Sequence, residues 1–469
     1  MGGVTQRPRE GTSIDAFEAQ RADSPALPIA KMIKKVAGRA NDLRGVARLT
    51  IAGIVGVVDL VEAMHYSIAS VPAMRSTRRG DRTKGITRIV YRGVHGVVDL
   101  VGRGLDRLLA QLEPILGEQN HWPGREALLA ALNGVLGDYL AASNKPLAIE
   151  MRLRRGGVAL PMDREPLAAA IPHAESKIVV LLHGLCMCDL QWKRNGHDHG
   201  AALAHDLGCT AVYLHYNSGL HISSNGRAFA ELLESLVERW PVPVTELVLV
   251  GHSMGGLVAR SACHYGKLAH HAWLGHLTKA VFVGTPHHGA PLERGGNWVD
   301  LLLGTTPYSA PLARLGKIRS AGITDLRFGY LLDKDWKRRD RFAPGNGQHT
   351  GVPLPQGVAC YAIAATTGSK AGDLSDRLIG DGIVPLESAM GRHPNPRLTL
   401  QFDPSRLHVA YRTNHLELLS RPAVYRQLKE WLAAAPGARE SSPCDTSPLS
   451  VRREHDGLTQ IKMSHGGDH

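Results

Sequence analysis

The sequence lacks the features that would place it in several common protein classes. Aromatic residues make up only 5% of its 469 residues and no nucleic-acid-binding motif is present, so the formal net charge of +12 does not indicate a nucleic-acid partner. Its six cysteines have neither the spacing of a disulfide framework nor that of a zinc quartet. We therefore expect reduced thiols in a cytoplasmic protein.

Signals that direct a chain into a membrane are also missing. The first 24 residues are polar and lack the apolar core of a secretory signal. A membrane span needs about 20 apolar residues, and the longest candidate, Leu49 to Val61, is shorter and is followed by Glu62. We expect a protein that contacts a membrane from its surface at most.

The hydrophobic content of 43% is enough for a large core, and the sequence pattern divides the chain into four parts. We predict a disordered tail at 1–29, a helical region at 30–145, an α/β domain at 146–435 and a second disordered tail at 436–469.

The helical region contains an internal repeat. Residues 48–61 recur as residues 88–101 with eight of fourteen positions identical, and each copy has the Gly-x-x-Gly spacing that lets helices approach closely. Residues 75–84, between the copies, are basic. One interpretation is a plain helical extension that covers one side of the α/β domain. The other is a hairpin that touches a lipid surface or a second copy of the chain.

Short apolar runs alternate with helical segments after residue 146, which predicts a mostly parallel sheet with helices on both faces. The predicted strands are 177–182, 210–216, 247–250, 279–283, 358–364 and 398–402, after a hairpin at 147–153 and 158–160. The predicted helices are 125–142, 226–239, 255–265 and 415–434. Residues 290–356 are too long for a simple loop and form either a cap or lid, or a surface insertion.

Residues 246–260 read ELVLVGHSMGGLVAR, an apolar strand that stops at a tight turn and continues as a helix. This pattern is typical of a nucleophile elbow, which exposes a serine at a sharp corner beside a base. Gly251 and Gly255 leave room for the neighbouring strand and helix on either side of Ser253. We expect His252 to pack beneath the turn rather than to react.

A second motif predicts an oxyanion hole. The strand that ends at Leu182 is followed by His183, Gly184 and Leu185. The glycine allows a tight turn that would aim the Leu185 N–H at the same point as the N–H of Met254. Such preorganised donors stabilise negative charge as it develops, each by roughly 3 kcal/mol in comparable sites.

Five motifs in a fixed order resemble the bacterial lipase/esterase branch of the α/β-hydrolases and the catalytic domain of GPI inositol-deacylases. They are His183-Gly-Leu, Gly251-His-Ser-Met-Gly-Gly, Gly284-Thr-Pro-His-His-Gly, Asp381-Gly-Ile-Val-Pro and Asn414-His-Leu-Glu. The resemblance covers residues 147–434. It implies the α/β-hydrolase fold, with a cap or lid insertion at about 290–356.

The resemblance also implies Asp381 as the acid and His415 as the base of a triad with Ser253. The residues themselves agree with this order, because Asp381 lies in a glycine-flanked loop and His415 follows the last predicted strand, at the start of the last predicted helix. The same reasoning leaves alternatives open. They are Asp373, Asp376 and Asp403 for the acid and His408 for the base.

Other histidines have weaker claims to a chemical role. We expect His287 and His288 to shape the pocket near the site. His197, Asp198 and His199 are residue types that bind metals, but no second half of such a site is apparent, so we predict no metal and no cofactor.

Together the motifs predict a serine carboxylic-ester hydrolase, a lipase or esterase, that cleaves apolar acyl or lipid esters through an acyl-enzyme on Ser253. A thioesterase or an acyltransferase would use the same triad. A third hypothesis, from another class, is a membrane-surface scaffold in which the N-terminal repeats act and the hydrolase core is vestigial. The N-terminal helices and the cap are the parts that we expect to contact a membrane, and the oligomeric state is open.

Overall fold

The computed structural model describes residues 109, 110, 113, 116, 117, 124–144, 146–290, 320–337, 349–370 and 380–434. The repeat at 48–61 and 88–101, the basic connector and both predicted tails lie outside these residues. Within the described part, no helix is long and apolar enough to cross a membrane.

Helices and strands alternate along the described chain, as the sequence predicts. The strands are β1 (Arg152–Arg155), β2 (Val158–Ala159), β3 (Lys177–Leu182), β4 (Lys193–Arg194), β5 (His197–Asp198), β6 (Thr210–His215), β7 (Glu246–His252), β8 (Leu277–Val283), β9 (Ala359–Ala365) and β10 (Leu407–Ala410). The α-helices are α1 (Arg125–Ala142), α2 (Arg164–Ala170), α3 (His199–Leu207), α4 (Ile222–Arg239), α5 (Met254–Leu268), α6 (Ala321–Phe328), α7 (Asp333–Trp336), α8 (Leu386–Ala389) and α9 (Pro422–Ala433).

Eight strands form one sheet in the order β10-β9-β8-β7-β3-β6-β1-β2. The first six strands in this order, from β10 through β3 to β6, are parallel to one another. Strand β1 pairs antiparallel with both β6 and β2. The central strands are apolar along nearly their whole length and are buried on both faces. This is the pattern of a parallel sheet covered by helices, and it places the carboxyl ends of β3, β7, β8 and β9 side by side at one edge.

Helix α1 has the bounds that the sequence predicts. It lies before the predicted domain boundary at residue 146, but its leucines, including Leu128, Leu132 and Leu140, share one hydrophobic core with the sheet and with α4. An amphipathic stripe is absent because both flanks of this helix are buried. The helix is therefore a part of the α/β core rather than a separate layer.

The described part of the 290–356 insertion packs firmly on α4. Helices α6 and α7 dock there through Asp325, which accepts a hydrogen bond from the Ile222 N–H (2.8 Å), and through an ion pair between Arg227 and Asp333 (2.7 Å). Burial raises the pKa of Asp325 to about 6, and the contact with His221 opposes that shift. Residues 320–337 are thus anchored to the core.

Two of the predicted elements are wrong. Residues 398–402 alternate between apolar and polar, as a half-buried strand would, but the position beside β9 is taken by β10, five residues further on. The last helix begins at Pro422 rather than at His415. Its first turn fits proline because no N–H is needed there, and His415 lies in the preceding loop.

Candidate active site

Ser253 lies at the sharp turn between β7 and α5, where the sequence places it. Its backbone has φ 53° and ψ −124°, a conformation that costs a non-glycine residue about 1–3 kcal/mol. The Ser253 N–H donates to the carbonyl oxygen of Val283 at 2.9 Å, which fixes the turn against the end of β8. Strain of this kind is maintained only where the surrounding structure enforces it.

The flanking glycines explain how the turn is enforced. A Cβ at Gly251 would lie 2.5 Å from the Gly256 Cα, and a Cβ at Gly255 would lie 2.4 Å from the Leu182 carbonyl oxygen. Both distances are far below van der Waals contact, so Gly251 lets β7 lie close to the start of α5, and Gly255 lets α5 lie close to the end of β3. The elbow interpretation of the glycines is consistent with this packing.

Asp381 and His415, which are 34 residues apart in the chain, lie together in the structure. The His415 Nδ1–H donates to Asp381 Oδ2 at 2.7 Å, and the side chains are only 0% and 1% exposed. Two backbone N–H groups, from Ile383 (3.0 Å) and Val384 (2.8 Å), donate to the other oxygen, Asp381 Oδ1. The carboxylate is thus held in one orientation from two sides.

This hydrogen bond favours one tautomer of the His415 ring. With Nδ1 as the donor, the neutral ring carries its lone pair on Nε2, which is buried and has no hydrogen-bond partner among the described residues. An unpartnered, basic ring nitrogen is what a general base requires.

The His415 ring lies against Gly284, at the sheet edge where Ser253 also lies. A Cβ at Gly284 would come within 3.3 Å of His415 Cε1 and Nδ1, and Gly284 follows Val283, which binds the Ser253 N–H. The base candidate and the nucleophile candidate therefore lie against consecutive residues at the end of β8.

The two segments that carry the predicted oxyanion donors meet at this region. A Cβ at Gly184 would lie 3.1 Å from the Ser253 Cβ, so the loop after β3 touches the elbow. Met254 is the first residue of α5, where helix N–H groups lack internal partners. Within the described residues, neither the Leu185 N–H nor the Met254 N–H donates a hydrogen bond. Both residues are buried, so each N–H group lacks a partner in a place that water hardly reaches.

His252 packs beneath the turn. It is fully buried, its Nε2–H donates to the carbonyl oxygen of His415 at 3.1 Å, and the two ring centroids are 4.7 Å apart. Burial, with a smaller contribution from His415, lowers the pKa of His252 well below its ordinary value. A neutral ring in this place supports the base loop without adding a second positive charge.

Two of the alternative acid and base residues, Asp403 and His408, are among the described residues, and both lie away from the Asp381–His415 pair. Asp403 is exposed and caps a short turn through the Ser405 N–H (2.9 Å). His408 is on β10, where burial lowers its pKa and the charge of Glu430 opposes that shift. Asp373 and Asp376 lie outside the described residues.

His287 and His288, from the Gly284–Gly289 motif, lie in the loop after β8 and are held there by hydrogen bonds. His287 is fully buried and receives a hydrogen bond from Arg260 (3.3 Å), whereas His288 donates to the Gly391 carbonyl oxygen (3.0 Å). Burial lowers the pKa of both, that of His288 to about 4. Both rings are thus neutral and structural at pH 7.

Three of the four ring nitrogens of His197 and His199, considered above as metal ligands, are engaged in hydrogen bonds. His197 Nε2 and His199 Nδ1 share one bond of 2.8 Å, and His199 Nε2 donates to the Leu418 carbonyl oxygen (2.9 Å). Asp198 accepts from the Tyr213 hydroxyl (2.7 Å) and caps α3. This arrangement leaves no set of lone pairs that converges on one point.

Among the described residues, one other group has metal-ligand spacing. Oxygen and nitrogen atoms of Glu126, Asp189 and His215 lie within 4.8 Å of one another. The guanidinium of Arg154 already sits between the two carboxylates, 2.7 Å from Glu126 and 3.3 Å from Asp189. The cation of this cluster is therefore the arginine.

Sequence reasoning missed several residues that hold the site. The Ile383 and Val384 N–H donors were not anticipated, although an aspartate followed by glycine is a common signal for a turn in which the side chain accepts from the next backbone amides. Nor was Ser218, whose hydroxyl accepts from the Cys186 N–H at 3.0 Å. No local signal could have identified Ser218, because the two residues are 32 positions apart.

Residues 176–353 match the family described as the PGAP1-like alpha/beta domain. Solved structures to which the chain is similar include the mature lipase BlEst2 of Bacillus licheniformis, with 16% identity over 61% of this chain and 98% of that chain and a TM-score of 0.36. The esterase Pf2001 of Pyrococcus furiosus has 12% identity over 55% and 81%, with a TM-score of 0.33. The NocB thioesterase domain, in covalent complex with a fluorophosphonate nocardicin G analog, has 14% identity over 56% and 97%, with a TM-score of 0.33.

No curated protein sequence matches the chain. The structural likenesses are low in identity and in TM-score, and nothing about the substrate follows from them. The family match covers β3, β7 and β8 together with the elbow, and the sheet order agrees with the fold expected from the motifs. Residues 176–353 are thus similar to the PGAP1-like alpha/beta domain, and the sheet to which they contribute has the α/β-hydrolase fold.

Proposed function

We propose that the chain is a serine carboxylic-ester hydrolase in which Ser253, His415 and Asp381 form the catalytic triad. The observation that carries the proposal is the 2.7 Å bond from His415 Nδ1 to Asp381, which leaves a buried, unpartnered Nε2 at the sheet edge where Ser253 is held in a strained turn. Each member supplies a part of the chemistry that an isolated serine lacks.

In the proposed reaction the Ser253 hydroxyl attacks the ester carbonyl while His415 Nε2 takes its proton. Asp381 stabilises the resulting imidazolium and remains ionised itself. The negative charge on the former carbonyl oxygen is met by the N–H groups of Leu185 and Met254. His415 then protonates the departing alcohol. In the second half of the reaction, water attacks the acyl-enzyme while His415 takes its proton, and His415 returns that proton to the Ser253 oxygen as the acid leaves.

The substrate class that we propose is an apolar acyl ester. All three triad side chains are nearly inaccessible to water, and at Gly184, where the loop after β3 touches the elbow, the apolar side chain of Met187 lies close by. Such an environment favours an apolar acyl group and strengthens the electrostatic contacts within the site. A peripheral contact with a membrane through the N-terminal repeat stays a prediction, because the repeat lies outside the described residues.

Covalent labelling tests this proposal directly. A fluorophosphonate probe should modify the wild-type chain at Ser253, and the Ser253→Ala variant should not react. Ser405→Ala, which removes an exposed serine far from the site, is the matched control and should label normally. Labelling that persists in Ser253→Ala overturns the nucleophile assignment, and a folded wild-type chain that does not label favours the scaffold hypothesis.

Turnover then separates the acyl-transfer classes. p-Nitrophenyl esters of increasing acyl length should be hydrolysed, with the longer chains preferred, and the product acid should appear in the same amount as the phenol. A much faster reaction with acyl thioesters would favour a thioesterase. Product acyl groups that end on an added alcohol rather than on water would favour an acyltransferase.

A further inference from the structure

The loop that presents the Leu185 N–H has an unusual backbone. Cys186, the next residue, has φ 59°, in the left-handed region that side chains other than glycine rarely adopt. Its N–H donates to the Ser218 hydroxyl at 3.0 Å, and its thiol is buried. The Leu185 N–H belongs to the preceding peptide unit, between Gly184 and Leu185, so it is linked to the Cys186 N–H only through the two backbone torsions of Leu185. Holding Cys186 restricts those torsions and thereby the direction of the Leu185 N–H.

Helix α1 lies directly against this residue. A Cβ at Gly134 would be 2.3 Å from the Cys186 Sγ, 2.9 Å from its Cα and 3.0 Å from its nitrogen. The helix therefore touches the loop backbone itself, and only glycine at position 134 permits that approach. Cys186 lies within the segment that matches the PGAP1-like family, whereas Gly134 lies outside it.

The next turn of α1 makes the same kind of contact with a second loop. Asn217 donates to the Gly137 carbonyl oxygen at 3.0 Å, and a Cβ at Gly219 would be 2.1 Å from the Asn133 carbonyl oxygen. Ser218, which holds Cys186, lies between these two contact residues in the chain. The helix thus fixes both the oxyanion loop and the loop that binds it.

A charged link reaches the far end of the oxyanion loop. Arg154 on β1 bridges Glu126, in the first turn of α1, and the buried Asp189, which follows Cys188. The oxyanion loop is therefore held near both of its ends by contacts that start on α1.

We propose that α1 is a positioning element for the oxyanion hole, with Gly134 as its key positioning residue; this inference rests on the proposed function. The helix sets the backbone of Cys186 and hence the direction of the Leu185 N–H. An alanine methyl at position 134 would push the loop or the helix by a substantial fraction of an ångström. Misplacement of about 1 Å in a catalytic group costs roughly 100-fold in rate.

The test is Gly134→Ala. It should lower kcat about 10- to 100-fold with KM changed less than threefold, since the lost contact acts on the developing oxyanion rather than on the bound ester. The rate of fluorophosphonate labelling should fall by a similar factor. Gly275→Ala is the matched control, because a Cβ there meets no atom within 4 Å, and it should behave like the wild type.

Rescue distinguishes positioning from a general loss of stability. The double variant Gly134→Ala/Cys186→Gly removes the Sγ that the new methyl would strike and places at 186 a residue that adopts positive φ without cost. The contacts of 2.9 and 3.0 Å with the Cys186 Cα and nitrogen remain, so the double variant should recover a part of the lost kcat, by about threefold or more relative to Gly134→Ala. If Gly134→Ala does not fold, Glu126→Gln takes its place, and it should lower kcat three- to tenfold through the loss of the Arg154 bridge.

The outcomes separate this inference from the proposed function. A folded Gly134→Ala with wild-type kcat overturns the role of α1, as does a folded double variant without recovery while the wild type remains active. An unfolded Gly134→Ala together with a fully active Glu126→Gln also overturns it. A wild-type chain that neither labels nor hydrolyses esters overturns the proposed function and this inference with it.

Discussion

The candidate triad is assembled in two different ways on its two sides. On the nucleophile side, Ser253 is held by its immediate chain neighbours, Gly251 and Gly255, whose missing side chains let β7 and α5 close on the turn. On the acid–base side, Asp381 and His415 come from two loops and are held by hydrogen bonds: the Nδ1 contact of 2.7 Å and a backbone bond from the His415 N–H to the Asp381 carbonyl oxygen of 3.1 Å.

The difference shows how precision is obtained in each case. Steric exclusion fixes the elbow, so its geometry cannot change without moving the sheet. Directional bonds fix the loops, so a change of one atom can alter the chemistry there while the fold persists. Substitutions on the acid–base side should therefore lower activity with little loss of stability. Substitutions at the elbow should lower both.

The largest effect should come from Asp381→Asn. The amide can still accept from the Ile383 and Val384 N–H groups, but its NH₂ would face His415 Nδ1 and favour the wrong tautomer of the ring. We expect kcat for p-nitrophenyl esters to fall about 10⁴-fold, with the free energy of unfolding changed far less than the activity. Asp403→Asn, on an exposed loop, is the control and should retain full activity. If Asp381→Asn also kept nearly full activity, Asp381 would not belong to the triad.

Gly255→Ala should have a different profile, in which stability and reactivity fall together. Its methyl would lie 2.4 Å from the Leu182 carbonyl oxygen and 2.7 Å from that of His183, both of them backbone atoms of the adjacent strand end. Overpacking of this kind typically costs about 1–3 kcal/mol, so urea unfolding should show a clear loss of stability together with a loss of labelling. Gly275→Ala should show neither. A stable, normally reactive Gly255→Ala would contradict the steric account of the elbow.

The smallest effect should be on pH dependence, and it should arise on the loop side. His288 has a pKa lowered to about 4 by burial, so its neutral form stabilises the fold above its unfolded value of about 6.5, and that stability is lost as pH falls from 6.5 towards 4. His288→Gln keeps a donor for the Gly391 carbonyl oxygen but cannot titrate.

Urea unfolding between pH 6.5 and 4.5 measures this contribution. The slope of stability against pH should be shallower in His288→Gln than in the wild type by roughly 1 kcal/mol per pH unit. His205→Gln, at a side chain that is 87% exposed, should leave the slope unchanged. Equal slopes in His288→Gln and the wild type would mean that the buried ring does not titrate as the structure indicates.

Local sequence patterns predicted the elements whose environment is uniform. Helix α1 has the predicted bounds because it is long and continuous, and β3, β7 and β8 follow from apolar runs that end at glycine turns. The pattern failed at 398–402, where alternation resembles a strand but the Leu400 N–H pairs only with the Gly391 carbonyl oxygen, outside the sheet. Alternation records which side chains are buried, and this segment buries Phe402 against Phe282 without joining a ladder.

The candidate site divides along the same line. The serine, its flanking glycines and the two oxyanion donors follow from short motifs, because steric fit at a tight turn is a property of adjacent residues. Residue spacing alone left four acids and two bases open; the family resemblance favoured Asp381 and His415, and the structure brings these two together.

The sequence by itself therefore determined the strand–turn–helix at Ser253, the parallel sheet and the order of the motifs, since each depends on local sterics and on apolar periodicity. Only the tertiary structure decided which carboxylate meets His415, that Arg154 fills the gap between Glu126 and Asp189, and that α1 contacts Cys186. Those outcomes depend on distances between residues far apart in the chain, and such distances are set by how whole elements pack.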